Sequence, residues 1–275
     1  MSAASEGENE SEERGPEEPE LTPEELQQLE EERLAAERSY FNVTRSLPAG
    51  LLFALPLLAV YELGVLLYRS EINAAADILK APIFWLQQHP IQLFGADLLL
   101  LVGLALIGLA VAAVWRVGRL GALHAGTFLG MFSESLLYAM ILGPLALAPI
   151  TGELKFGGFS PHLDDFPLKL VVAAGAGFYE EAFFRFAILG AIFYLAKEVG
   201  KLRPVTAGAL ALVLSGAFFS AAHFLAGGET PELGTFIYRL AAGMILGLVF
   251  LTRGFGIAAW THAIYDLYLL CFAAG

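Results

Sequence analysis

The chain has 275 residues, 57% of them hydrophobic, a formal net charge of −12 and a mean hydropathy of +0.64. The apolar share exceeds the roughly 45–50% of soluble domains, and apolar runs of about 20 residues recur, which argues against a soluble enzyme. Sustained alternation is absent, which argues against a β-barrel. The acidity belongs to the first 40 residues, with fourteen Glu and three Arg, and the rest is nearly neutral; no basic patch favours nucleic acid.

Residues 1–20 are rich in Glu, Ser, Gly and Pro, so they are expected to be disordered, and without a basic start or apolar core they are no signal peptide. Thr22-Pro23-Glu24-Glu25 reads as a helix start, with Thr as N-cap and Pro at the first position, opening a charged helix to about Ser39. Residues 1–40 are therefore expected to be an acidic cytoplasmic tail, and 41–275 a transmembrane domain. The first span is expected over 47–68, kinked at Pro56, and 73–88 is expected to lie at the interface. Further spans follow over 94–115, 123–149, 168–196, 205–226, 233–252 and 255–272, with a Gly-, Pro- and Asp-rich loop over 151–167. The expected fold is all-α: a polytopic transmembrane bundle of about 7–8 spans. Basic residues in the short loops favour an N-terminus on the cytoplasmic side. Cys271 is the only cysteine, so it has no internal disulfide partner and reads as a small hydrophobe.

The costly feature is Glu180-Glu181-Ala182-Phe183-Phe184-Arg185 in the fourth span. One charge at the bilayer centre costs at least about 2.5–3.5 kcal/mol. Glu181 and Arg185 are four apart and share a helix face, with Glu on the N-terminal side, the better order for an ion pair. Glu180 is turned by about 100° on an α-helix, so it points elsewhere and is left as a candidate general base. Phe219 and His223 are likewise four apart, as are His262 and Asp266. A Glu and two His on three separate spans are hard to explain by packing, because lipid discourages such residues unless they face one another or a watery cavity. Phe219, Tyr179, Arg239 and Glu134 are further candidates for the pocket. Arg239 is suited to a substrate carboxylate or to anchoring the sixth span, and Glu134 reads more readily as structural.

Glu180-Glu181-x-x-x-Arg185, Phe219-x-x-x-His223 and His262-x-x-x-Asp266, in that order on successive helices, resemble the three motifs of the CAAX-protease and bacteriocin-processing family of glutamate-type intramembrane proteases. The resemblance covers about residues 170–270 and includes Gly243-x-x-x-Gly247. It implies that Glu180 is the catalytic glutamate and that His223 helps to hold the attacking water. It implies that Glu181 and Arg185 are the supporting pair, and that His262 and Asp266 stabilise the oxyanion. An ionised Asp cannot donate to an oxyanion as the family's more frequent Asn can, so Asp266 is expected to orient His262. The implied reaction is hydrolysis of a peptide bond near the terminus of a membrane-associated or lipid-anchored protein. It needs no cofactor, and the implied location is the inner membrane of a bacterium.

Two rival readings use the same residues. Glu180, His223 and His262 form a legitimate zinc set with water in the fourth position, although the His-Glu-x-x-His signature is absent. A transporter or a non-enzymatic bacteriocin-immunity protein is the other, and a transporter would be expected to show repeat symmetry.

Overall fold

The computed structural model describes residues 22–37, 39–67, 92–93, 96–97, 108, 112, 115, 125–151, 165–227 and 232–273. The interface segment expected over 73–88, most of the second span and most of the 151–167 loop lie outside them. Two compact units divide the chain, Met1–Glu37 and Arg38–Gly275.

The first unit contains α1, Pro23–Glu37. Its start is a capping box: the Thr22 backbone N–H donates to Glu25 Oε2 at 2.8 Å, and the Glu25 N–H to Thr22 Oγ1 at 3.3 Å. The Thr22 backbone N–H and hydroxyl hold the Glu25 carboxyl below its ordinary range. Leu26 and Leu29 are exposed, in keeping with a helix whose only apolar stripe is thin.

The second unit opens with α2, Tyr40–Arg45, and α3, Leu47–Leu67, which holds Pro56 in its interior. A two-residue antiparallel pair, Gln92–Leu93 (β1) and Ala96–Asp97 (β2), sits where the second span was expected to begin. Helix α4 is Ala125–Thr151. Helix α5 is continuous over residues 166–199. Helices α6, Pro204–Gly227, and α7, Leu233–Arg253, follow. Helix α8 covers 255–273 and joins α7 at Gly254, whose φ of 88° suits glycine. Leu47–Gly64, Ala125–Pro149, Pro204–Phe224, Leu233–Arg253 and Phe255–Phe272 are each long and apolar enough to cross a membrane. The expected fourth span lies within α5, the helix with the charged motif. The chain is an integral multi-pass membrane protein, and among the described residues its candidate spans are all helical.

Helix α8 is the centre of this body and packs against α3, α4, α5 and α7. Its Phe255, Ala259 and Ala263 join Leu57 and Leu58 of α3 and Phe178 of α5 in one core. Tyr265 joins Leu142 of α4 and Leu246 of α7 in a second, and Ile257 and Ala258 join Phe53, Met131 and Val249 in a third. Lipid tails are as apolar as Leu, so such contacts are held by close packing and interhelical hydrogen bonds. Trp260 Nε1–H donates to the Phe53 carbonyl at 2.7 Å, and the Ser215 hydroxyl to the Phe184 carbonyl at 2.8 Å.

The closest approach that bears on the motif residues is at Gly177. A methyl group there would lie 2.5 Å from the Ala259 carbonyl oxygen and 2.6 Å from Ala263 Cβ, so only glycine lets α5 reach α8 just before Glu180. Gly177→Leu therefore drives the helices apart at a cost of about 1–3 kcal/mol or more. Thermal unfolding in detergent should show a lowered midpoint. An unchanged midpoint would mean that the two helices are not packed this closely.

Candidate active site

The site grows from the middle of α5. Its backbone hydrogen bonds over Ala176–Leu189 run from residue i to i+5, wider than an α-helix; the Gly190 N–H, for example, is directed to the Arg185 carbonyl. This stretch contains Glu180, Glu181 and Arg185. All three side chains are buried, Arg185 and Glu181 completely.

Glu181 is the hub. Its Oε1 lies 2.9 Å from an Arg185 terminal nitrogen and 2.8 Å from His262 Nδ1. One carboxylate oxygen thus forms an ion pair with a guanidinium on its own helix and accepts from an imidazole on α8. With Nδ1–H given to Glu181, the opposite ring nitrogen faces the remaining acidic groups. His262 Nε2 stands 3.5 Å from Asp266 Oδ2 and 3.9 Å from Glu180 Oε2. Both separations exceed a direct N–H···O bond. The expectation that Asp266 orients His262 meets a different geometry, in which the near carboxylate is Glu181 on another helix.

Phe219 of α6 forms one wall of the cluster. Its ring centroid is 4.4 Å from the Arg185 guanidinium carbon, a cation–π distance. It is 5.2 Å from Phe184, 4.7 Å from His223 and 6.0 Å from His262, all edge-on. His223 is half-buried, and its Nδ1 lies 2.8 Å from the Phe219 carbonyl one turn back. The three sequence motifs therefore converge: the first and third by direct ion pairs, the second through Phe219. Helix α7 closes the floor. An Arg185 NH2 group reaches the Gly243 carbonyl at 3.5 Å, and a methyl on Gly243 would crowd Phe219 at 3.2 Å.

The remaining candidates have other partners. The Tyr179 hydroxyl donates to the Glu62 carboxylate of α3. Glu134 forms a two-pronged pair with Arg253 at 2.7 and 2.9 Å, and Arg253 also donates to Thr44 at 3.1 Å, which ties α4 and α7 to α2. The Arg239 guanidinium lies over Phe224, 5.3 Å from the ring centroid. Tyr238 and Tyr265, hydrogen-bonded through their hydroxyls beside Asp266, were not foreseen; two tyrosines on apolar helices carry no spacing signal that would link them. Among the described residues, no three His, Cys, Asp or Glu side chains are grouped as metal ligands.

Residues 162–268 match the family model described as type II CAAX prenyl endopeptidase Rce1-like. This segment is similar to an Rce1-like domain. It holds every residue of the three motifs and begins just before α5. Curated proteins and solved structures give no match to the chain. The family match makes this segment similar to the CAAX-type endopeptidases that the family model describes.

Removing one partner of a buried ion pair leaves an uncompensated charge and costs about 3–5 kcal/mol, whereas replacing both with apolar groups is often near neutral. Arg185→Leu should therefore be strongly destabilised in a detergent unfolding assay. Adding Glu181→Leu to it should restore part of the loss. Additive losses in the double variant would contradict the pairing.

Proposed function

We propose that the chain is an intramembrane endopeptidase in which Glu180 takes a proton from water, and that its substrate is a membrane-anchored protein of the C-a-a-X type. The observation that carries this reading is the placement of His262. Its Nδ1 is bound to Glu181 at 2.8 Å, so Nε2 is turned toward Glu180 at 3.9 Å. That gap is too long for a direct bond and suits a shared water.

In this mechanism water is held between Glu180 and the two histidines. Glu180 accepts its proton while the oxygen attacks the scissile carbonyl carbon. The carbonyl oxygen becomes an oxyanion, and His262, protonated on Nε2 as well as on Nδ1, stabilises it as an imidazolium. The proton held by Glu180 passes to the leaving amine as the C–N bond breaks. Glu181 and Arg185 touch neither water nor substrate; they hold the imidazole in its tautomer and direction. Asp266 sits beside Nε2 and balances the ring when it carries a second proton. The short-loop basic residues support an N-terminus in the cytoplasm, and the bacterial inner membrane is carried only by the family resemblance. No cofactor enters this scheme.

The test is cleavage of a farnesylated peptide ending in C-a-a-X by purified protein. Glu180→Gln keeps the size of the side chain and removes the base, so the rate should fall about 10²–10⁴-fold with thermal stability retained. Cleavage by Glu180→Gln at the wild-type rate would sink the mechanism. Treatment with a chelator should leave wild-type activity intact; loss restored by zinc would favour the set Glu180, His223 and His262 as metal ligands instead.

A further inference from the structure

We propose that Tyr179 and Glu62 are the positioning pair of Glu180, holding it through the backbone from the side of α3. The inference rests on the endopeptidase reading above and adds, for the same site, a residue of a helix that carries none of the three motifs.

Glu62 lies within the apolar stretch Leu47–Gly64, and an ionisable side chain in such a span calls for a partner and a function. Its partner is Tyr179 of α5, whose hydroxyl donates to Glu62 Oε1. The two residues are 117 apart in the chain, so the bond joins two helices. Apolar side chains gain little by leaving lipid for one another, whereas an interhelical hydrogen bond fixes direction as well as contact. The Tyr179 ring is held too. Its centroid is 5.2 Å from that of Tyr61 and 5.3 Å from that of Phe178, edge-on to both. A methyl group on Gly175, one turn earlier on α5, would strike the Tyr61 ring, so α3 and α5 touch closely on this face.

The place of Tyr179 in the chain gives the bond its consequence. Tyr179 is the residue before Glu180. The residue after Glu180 is Glu181, whose Oε1 lies 2.8 Å from His262 Nδ1 on α8. Glu180 is thus flanked by two interhelical hydrogen bonds, one to α3 and one to α8. A single tether leaves a helix free to roll about it; two tethers to different helices fix the rotation of α5 at Glu180. That rotation sets the 3.9 Å gap between Glu180 Oε2 and His262 Nε2, the gap assigned above to the attacking water. Tyr179 and Glu62 act through the backbone of Glu180, so they are positioning residues and not catalytic ones.

The experiment measures cleavage of a farnesylated C-a-a-X peptide by purified full-length protein, below the unfolding midpoint of every variant. A misplacement of about 1 Å costs on the order of 100-fold, so Tyr179→Phe and Glu62→Leu should each lower kcat about 10- to 100-fold with KM little changed. Glu62→Gln keeps an acceptor oxygen and should retain most of the wild-type kcat. The double variant Tyr179→Phe with Glu62→Leu should be no slower than the slower single one, because both changes remove the same bond. A wild-type kcat in Tyr179→Phe would overturn the inference and leave the endopeptidase reading standing. So would a raised KM with kcat retained, an equal loss in Glu62→Gln and Glu62→Leu, or losses that multiply in the double variant. Failure of wild type to cleave the peptide would sink the endopeptidase reading and this inference together. Should Tyr179→Phe not fold, the comparison of Glu62→Gln with Glu62→Leu decides the matter.

Discussion

One oxygen atom, Oε1 of Glu181, holds this site together. It is ion-paired with Arg185 at 2.9 Å and accepts from His262 at 2.8 Å, deep within a body made for lipid. Ionisable groups are expensive there, and they persist when they face one another. Here a guanidinium and an imidazole share a single carboxylate oxygen, so neutralising the charge on α5 also fixes the ring on α8. Scaffold and chemistry are joined at that atom. The hydrogen bond to Nδ1 decides which ring nitrogen faces Glu180, and a displaced Glu181 would turn that nitrogen away without touching Glu180 itself.

The surrounding helices serve this contact. Gly177 lets α5 lie against the backbone of α8 one turn before the glutamates. Phe219 lies edge-on to both His223 and His262 and covers the Arg185 guanidinium, so the second motif braces the ion pair. The wider i-to-i+5 coil of α5 spans the charged motif; such coils are found frequently at functional sites. A separate polar anchor, Arg253 with Glu134 and Thr44, secures the far end of α7 and leaves the site's own charges to each other.

The spans were legible because lipid permits only structures that satisfy their own backbone, and an apolar run of the right length is then a helix. The expected 205–226 and 233–252 became Pro204–Gly227 and Leu233–Arg253. The Glu181–Arg185 pair was legible for the same kind of reason, since both partners lie on one helix at a spacing that brings them together. What the residues could not disclose was contact across helices. His262 has Asp266 four residues on, and spacing alone assigns that carboxylate to the ring; the structure gives the near position to Glu181, 81 residues away in the chain. Phe219 as a wall, Tyr238 with Tyr265, and the placement of Arg239 beside Phe224 are all consequences of packing between helices, to which periodicity along one helix is blind. The i-to-i+5 backbone is a further case, because it leaves no mark in the spacing of the residues.

The sharpest measurement is nitrogen NMR of the imidazole rings in protein labelled with ¹⁵N-histidine and embedded in membranes. The shared carboxylate predicts that His262 carries a proton on Nδ1, and that Glu181→Gln shifts the His262 nitrogens much more than Asp266→Asn does, with the His223 nitrogens least affected. A bare Nδ1 on His262, or a response to Asp266→Asn alone, would contradict the arrangement on which the site depends.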